Sequence, residues 1–150
     1  MVSSYLEFDE AYIDDTFKPN LEDLVIHIRL GDYKTLGWVT DASLYMGLVD
    51  KGDYDKCYVV TDSPNDDFLD DFKKKGCVVI SGSEISDFIF LVNSNKVCIS
   101  KSTFSWLAGY ISNADKVYFP LSDNKPPYLY KPIGNQADYT PTDKNNWEII

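Results

Sequence analysis

The chain has 150 residues, 44% hydrophobic and 15% aromatic, with 14 Lys and Arg against 24 Asp and Glu and a formal charge of −10. That composition argues against disorder, and that charge argues against binding duplex nucleic acid or anionic membrane surfaces, which repel an acidic protein. Arg29 is the only arginine and His27 the only histidine, so every other basic residue is a lysine.

In chain order, residues 1–20 have mixed polarity and read as a lead-in to a domain over 21–120. LVIHIR (Leu24 to Arg29) is a β-branched run closed by the turn pair Gly31-Asp32. Asp41 to Val49 is a weak helical segment. CYVVT (Cys57 to Thr61) follows as a second strand, and then PNDDFLDDFKKKG. There Pro64 suits a first helical turn, Phe68, Leu69 and Phe72 form an apolar stripe, and Gly76 ends the helix. CVVI (Cys77 to Ile80), a helix from Glu84 to Val92, KVCIS (Lys96 to Ser100), a helix from Ser102 to Ser112 and KVYF (Lys116 to Phe119) complete the set. The strands are short and almost continuously apolar, as strands buried on both faces are. Strands alternating with helices predict an α/β, Rossmann-like parallel sheet flanked by helices. Residues 121–150, rich in Pro, Asn, Asp and Tyr, are expected to form an irregular tail packed on the domain.

No apolar run approaches the roughly 20 residues of a membrane span, and the N-terminus MVSSYLEFDE lacks the basic and apolar parts of a secretion signal. Cys57, Cys77 and Cys98 lie inside apolar runs without C-x-x-C spacing, so they read as buried hydrophobes in a reducing compartment. A cytoplasmic protein is expected. The preference for Lys over Arg, with abundant Asn, Asp and Tyr, suggests an AT-rich bacterial or viral genome.

Ligands of open parallel sheets bind beyond the carboxyl ends of the strands. His27, Arg29 and Asp32 fall there after the first strand, Thr61, Asp62 and Ser63 after the second, Ser81 and Ser83 after the third, and Ser100, Ser102 and Thr103 after the fourth. His27 and Arg29 alternate onto one side of an otherwise aliphatic strand. They form either a structural pair or a ligand site. The single use of a planar, multidentate cation favours grip on a diphosphate. Ser102-Thr103-Phe104-Ser105 opens a helix directly after a strand; it reads as an ordinary cap or as a phosphate-binding helix start. Asp87 reads as a solvated acid or as the acceptor of a guanine edge, and Asp32 as a turn former or as the partner that orients Arg29. Neither G-x-x-x-x-G-K-[ST] nor G-x-G-x-x-G occurs, which disfavours a P-loop or a dinucleotide fingerprint.

VIHIRLGDY (Val25 to Tyr33) resembles the H-x-R-R-G-D-Y motif of α-1,2-fucosyltransferases. SDFIFLVNSNKVCISKSTFSWLAGYISNADKVYFP (Ser86 to Pro120) resembles the same family's second hallmark, and DNKPPYLY with Trp147 and Ile149 is similar to the tail of its bacterial members. The resemblance covers roughly residues 20–150. It implies the donor-binding half of an inverting enzyme of GT-B architecture that uses GDP-fucose and no metal or other cofactor. By resemblance, Arg29 contacts the β-phosphate and stabilises the leaving GDP with Asp32 beside it. His27 and Asp87 approach the guanosine, and Ser102, Thr103 and Phe104 line the phosphates. The glycan acceptor would then be held by a second domain or chain, because family members have two Rossmann-like halves. Two positions depart from the motifs: Leu30 replaces the second Arg, and Trp106-Leu107 replaces a Trp pair.

Overall fold

The structure, a computed structural model, describes residues 18–120 and 144–150. Its centre is strand β1 (Leu24–Ile28), in which every residue is buried. β1 pairs in parallel with β2 (Cys57–Thr61) on one side and β4 (Lys96–Cys98) on the other. Beyond β2 lies β3 (Val78–Ile80). Beyond β4 lie β5 (Lys116–Phe119) and β6 (Trp147–Ile149). The sheet is all parallel, in the order β3-β2-β1-β4-β5-β6, the doubly wound order whose direction of growth reverses between β1 and β4. An α/β, Rossmann-like fold is what the alternation of elements predicts.

The two-residue period of β1 divides the core. Leu24, Ile26 and Ile28 pack into one apolar cluster with Tyr45 and Val49 of α2 (Ala42–Lys51) and Phe72 of α3 (Asp70–Lys74). Val25 points into the other, with Phe90 and Leu91 of α4 (Glu84–Val92) and Ala108 of α5 (Thr103–Ile111). His27, two residues on from Val25, falls on that second face. α5 reaches the sheet closely because residue 109 is glycine: a Cβ there would stand 3.0 Å from Ile99 Cγ2 and 3.2 Å from Val117 Cγ1.

Four local expectations are corrected. Gly31-Asp32 is the start of a short helix, α1 (Gly31–Leu36), and not a turn. Pro64 lies in a turn ahead of its helix. That helix opens as a 3-10 turn (Asp67–Leu69) capped by Asp66, whose carboxylate accepts the Phe68 N–H at 2.9 Å. β3 is an edge strand with Val78 49% exposed, so it is not buried on both faces. Within the expected tail, Trp147–Ile149 is a regular strand: the Ile150 and Val117 N–H groups donate to Phe119 and Asn146 carbonyls across the β5–β6 boundary. Residues 1–17 of the lead-in and 121–143 of the tail lie outside the described residues. Cys57, Cys77 and Cys98 are buried free thiols. Among the described residues no helix is long and apolar enough to cross a membrane.

Candidate functional site

A cleft of about 230 Å³ opens beyond the carboxyl ends of β1, β2 and β3. β1 and the residue after it supply His27 and Arg29, and β2 supplies Thr61 with Asp62 beyond it. The far wall comes from Ser81 and Gly82 after β3, Glu84 and Asp87 of α4, and Phe104 of α5.

His27 is 6% exposed, and its Nδ1 lies 2.8 Å from Ser100 Oγ at the end of β4. Burial lowers its pKa to about 4, with Arg29 adding to the effect and Asp62 opposing it, so the ring is neutral at pH 7. Its ring centre is 5.5 Å from that of Phe104, which meets Phe88 edge-on at 5.4 Å. Behind His27 three hydroxyls interlock. Ser100, Ser102 and Ser105 Oγ are 3.0–3.1 Å apart, the Ser100 N–H donates to Ser105 Oγ at 3.0 Å, and the Ser105 N–H donates to Ser102 Oγ at 3.2 Å. Ser102 is the cap of α5, buried and occupied with its own helix. A cap reading of Ser102 is therefore fulfilled, and its two partners join the same knot.

Arg29 stands at the rim. Its Nε donates to Asp32 Oδ1 at 3.1 Å and its Nη2 to Asp32 Oδ2 at 3.3 Å, which occupies two of five N–H donors. The guanidinium carbon lies 5.1 Å over the Tyr33 ring. The hydrogen bond to Asp32 raises the Arg29 pKa and lowers that of Asp32. As an exposed i,i+3 pair it fixes orientation more than it adds stability. Asp62 accepts the Leu30 N–H at 2.9 Å. Asp87 is buried rather than solvated. Burial raises its carboxyl pKa, partly offset by the Gly82 N–H, which donates to Oδ1 at 3.0 Å.

The structure thus brings His27, Arg29, Asp87 and Phe104 to one cleft. Asp32 stays outside it on the rim, attached to Arg29. Ser102 and Thr103 do not line it: Ser102 faces the knot, and Thr103 is exposed. Gly82 and Glu84 escaped the reading of the sequence, although the position after a third parallel strand marks that stretch as a place to look. Among the described lining residues Arg29 is the one cation, against Asp62, Glu84 and Asp87. An acceptor-rich wall with a single guanidinium at its edge suits a ligand rich in N–H and O–H donors that carries its anionic part to one side. No protein-family model and no curated protein matches the chain. Fold and cleft together define a Rossmann-like α/β domain with a cleft near its topological switch point.

Proposed function

We propose that this domain binds the donor of an inverting, metal-independent, fucosyltransferase-like glycosyl transfer: GDP-fucose or a related nucleotide sugar. The observation that carries the reading is that His27, Arg29, Asp87 and Phe104, distant in sequence, line one cleft at strand carboxyl ends. In this reading Phe104 offers a face for the base, Asp87 accepts from the base edge, and Arg29 meets the diphosphate. In the transfer, an acceptor hydroxyl oxygen attacks the anomeric carbon from the face opposite the diphosphate. The bond from that carbon to the β-phosphate oxygen breaks, its electron pair leaves with GDP, and the hydroxyl proton passes to a base. Arg29 stabilises charge on the departing diphosphate. The acceptor groove and the base belong, on this reading, to a second domain or chain.

Calorimetry with GDP, UDP and ADP tests the donor assignment: GDP is expected to bind most tightly. Arg29→Lys should weaken GDP binding by roughly 10- to 100-fold, since an ammonium replaces a fork with a point charge. Unchanged affinity in that variant sinks the assignment. One observation favours a second reading, binding without turnover. Leu30, where the resembling motif has its second Arg, is fully buried in the core and brings no charge to the cleft. Transfer of fucose from GDP-fucose to a β-galactoside by the purified protein would dispose of it.

A further inference from the structure

We infer that Asp62 is the positioning residue of this site, locking from the end of β2 the turn that carries Arg29. Its functional half rests on the donor-site reading; its structural half rests on geometry alone. Helix α1 begins without a cap of its own, because Leu30 at the capping position is apolar and makes no side-chain hydrogen bond. Its N–H donates instead to Asp62 Oδ1 at 2.9 Å, a carboxylate delivered by the neighbouring strand. The parallel pairing Ile28↔Thr61 is what sets the two turns side by side. The Leu30 side chain is buried in the core, and its carbonyl accepts the Lys34 N–H at 2.8 Å. Residue 30 is therefore held by side chain, N–H and C=O at once, and Arg29 is bonded directly to it.

Gly31 completes the lock. A Cβ at that position would stand 2.5 Å from Asp62 Oδ2, so a side chain there would push the carboxylate away from the turn. Asp62 also favours the charged forms of both His27 and Arg29, which places its charge within reach of the cleft. There it opposes an anionic ligand. Asp62 thus has two effects of opposite sign: as an acceptor it holds the Arg29 turn, and as a charge it repels a diphosphate. Two substitutions separate them. Asp62→Ala removes acceptor and charge together; Asp62→Asn keeps an acceptor oxygen and removes the charge alone.

With GDP as the titrant, Asp62→Ala is expected to bind about tenfold more weakly or worse, as misplaced contact groups do. Asp62→Asn is expected to bind as well as the unsubstituted protein or better. Equal affinities in Asp62→Ala and Asp62→Asn, which share the loss of charge and differ in the acceptor, overturn the proposal. A second measurement needs no nucleotide. In the ligand-free protein, hydrogen exchange of the Leu30 amide, corrected for global stability, should speed up about tenfold or more in Asp62→Ala and return to slow exchange in Asp62→Asn. Unchanged exchange in Asp62→Ala overturns the lock. If the unsubstituted protein binds no GDP while the Leu30 amide responds as expected, the donor reading fails and the lock is upheld.

Discussion

At the scale of single residues, His27 shows how an ionisable group is held in one state by its surroundings. Its folded-state pKa of about 4 lies below the unfolded value of 6.5. As pH falls through this interval the unfolded chain takes up the proton first, so stability is lost between about pH 6.5 and 4, by roughly 3 kcal/mol in all. The loss is absent above pH 6.5 and complete below pH 4. His27→Gln should flatten that part of the curve, measured by urea unfolding from pH 7.5 to 4. Asp87, whose carboxyl pKa is raised by burial, works in the opposite direction on acidification, so the difference between the two proteins isolates the histidine. An equal slope in both would show that His27 does not titrate as its burial requires. The sequence makes His27 and Arg29 conspicuous because each is unique and both sit on an aliphatic strand. It says nothing comparable of Asp62, one of 24 acids, whose contact with Leu30 exists only once β1 and β2 pair.

At the scale of elements, the hydroxyl knot joins the end of β4 to the start of α5. Ser105 is fully buried, and its Oγ receives the Ser100 N–H. Ser105→Ala leaves that buried donor without its acceptor and is expected to cost about 1–3 kcal/mol, read as a lowered urea midpoint. A smaller midpoint shift would mean that a water or a backbone carbonyl takes the hydrogen bond over. Elements with many apolar positions were legible in advance: β1, β2, β5, α4 and α5 lie close to their expected ranges because strand and helix periods leave a clear imprint there. α1 was not, since GDYKTL is too short and too polar to show a period, and its capping hydrogen bond comes from another strand. β6 was not either, because the three residues of WEI are too few to establish a strand period, and their place is set by Trp147 packing against Phe119 and Trp106. The helix start at Ser102 was legible as a cap, whereas the inward turn of its hydroxyl depends on Ser100 and Ser105.

At the scale of the whole molecule, the charge of −10 and the single guanidinium act over different distances. On the donor-site reading, the net field would repel a nucleoside diphosphate from afar, and Arg29 would attract it only within a few ångströms. Screening weakens the first more than the second, so the association rate of GDP should rise as salt increases from about 20 to 200 mM. Stopped-flow measurement would show it, and a rate that falls with salt would mean that local attraction dominates the approach.

The central position of β1 also has a kinetic side. Leu24 lies beside both Cys57 and Lys96, so the strand that bears the cleft is built from the most sequence-distant pairings in the sheet. Closing those loops must precede any alignment of Arg29 with Asp62, Asp87 and Phe104. A partly folded chain then has nothing with which to grip a ligand. On the donor-site reading, nucleotide would trap the finished protein, and so slow its unfolding, without guiding the early steps by which it is made.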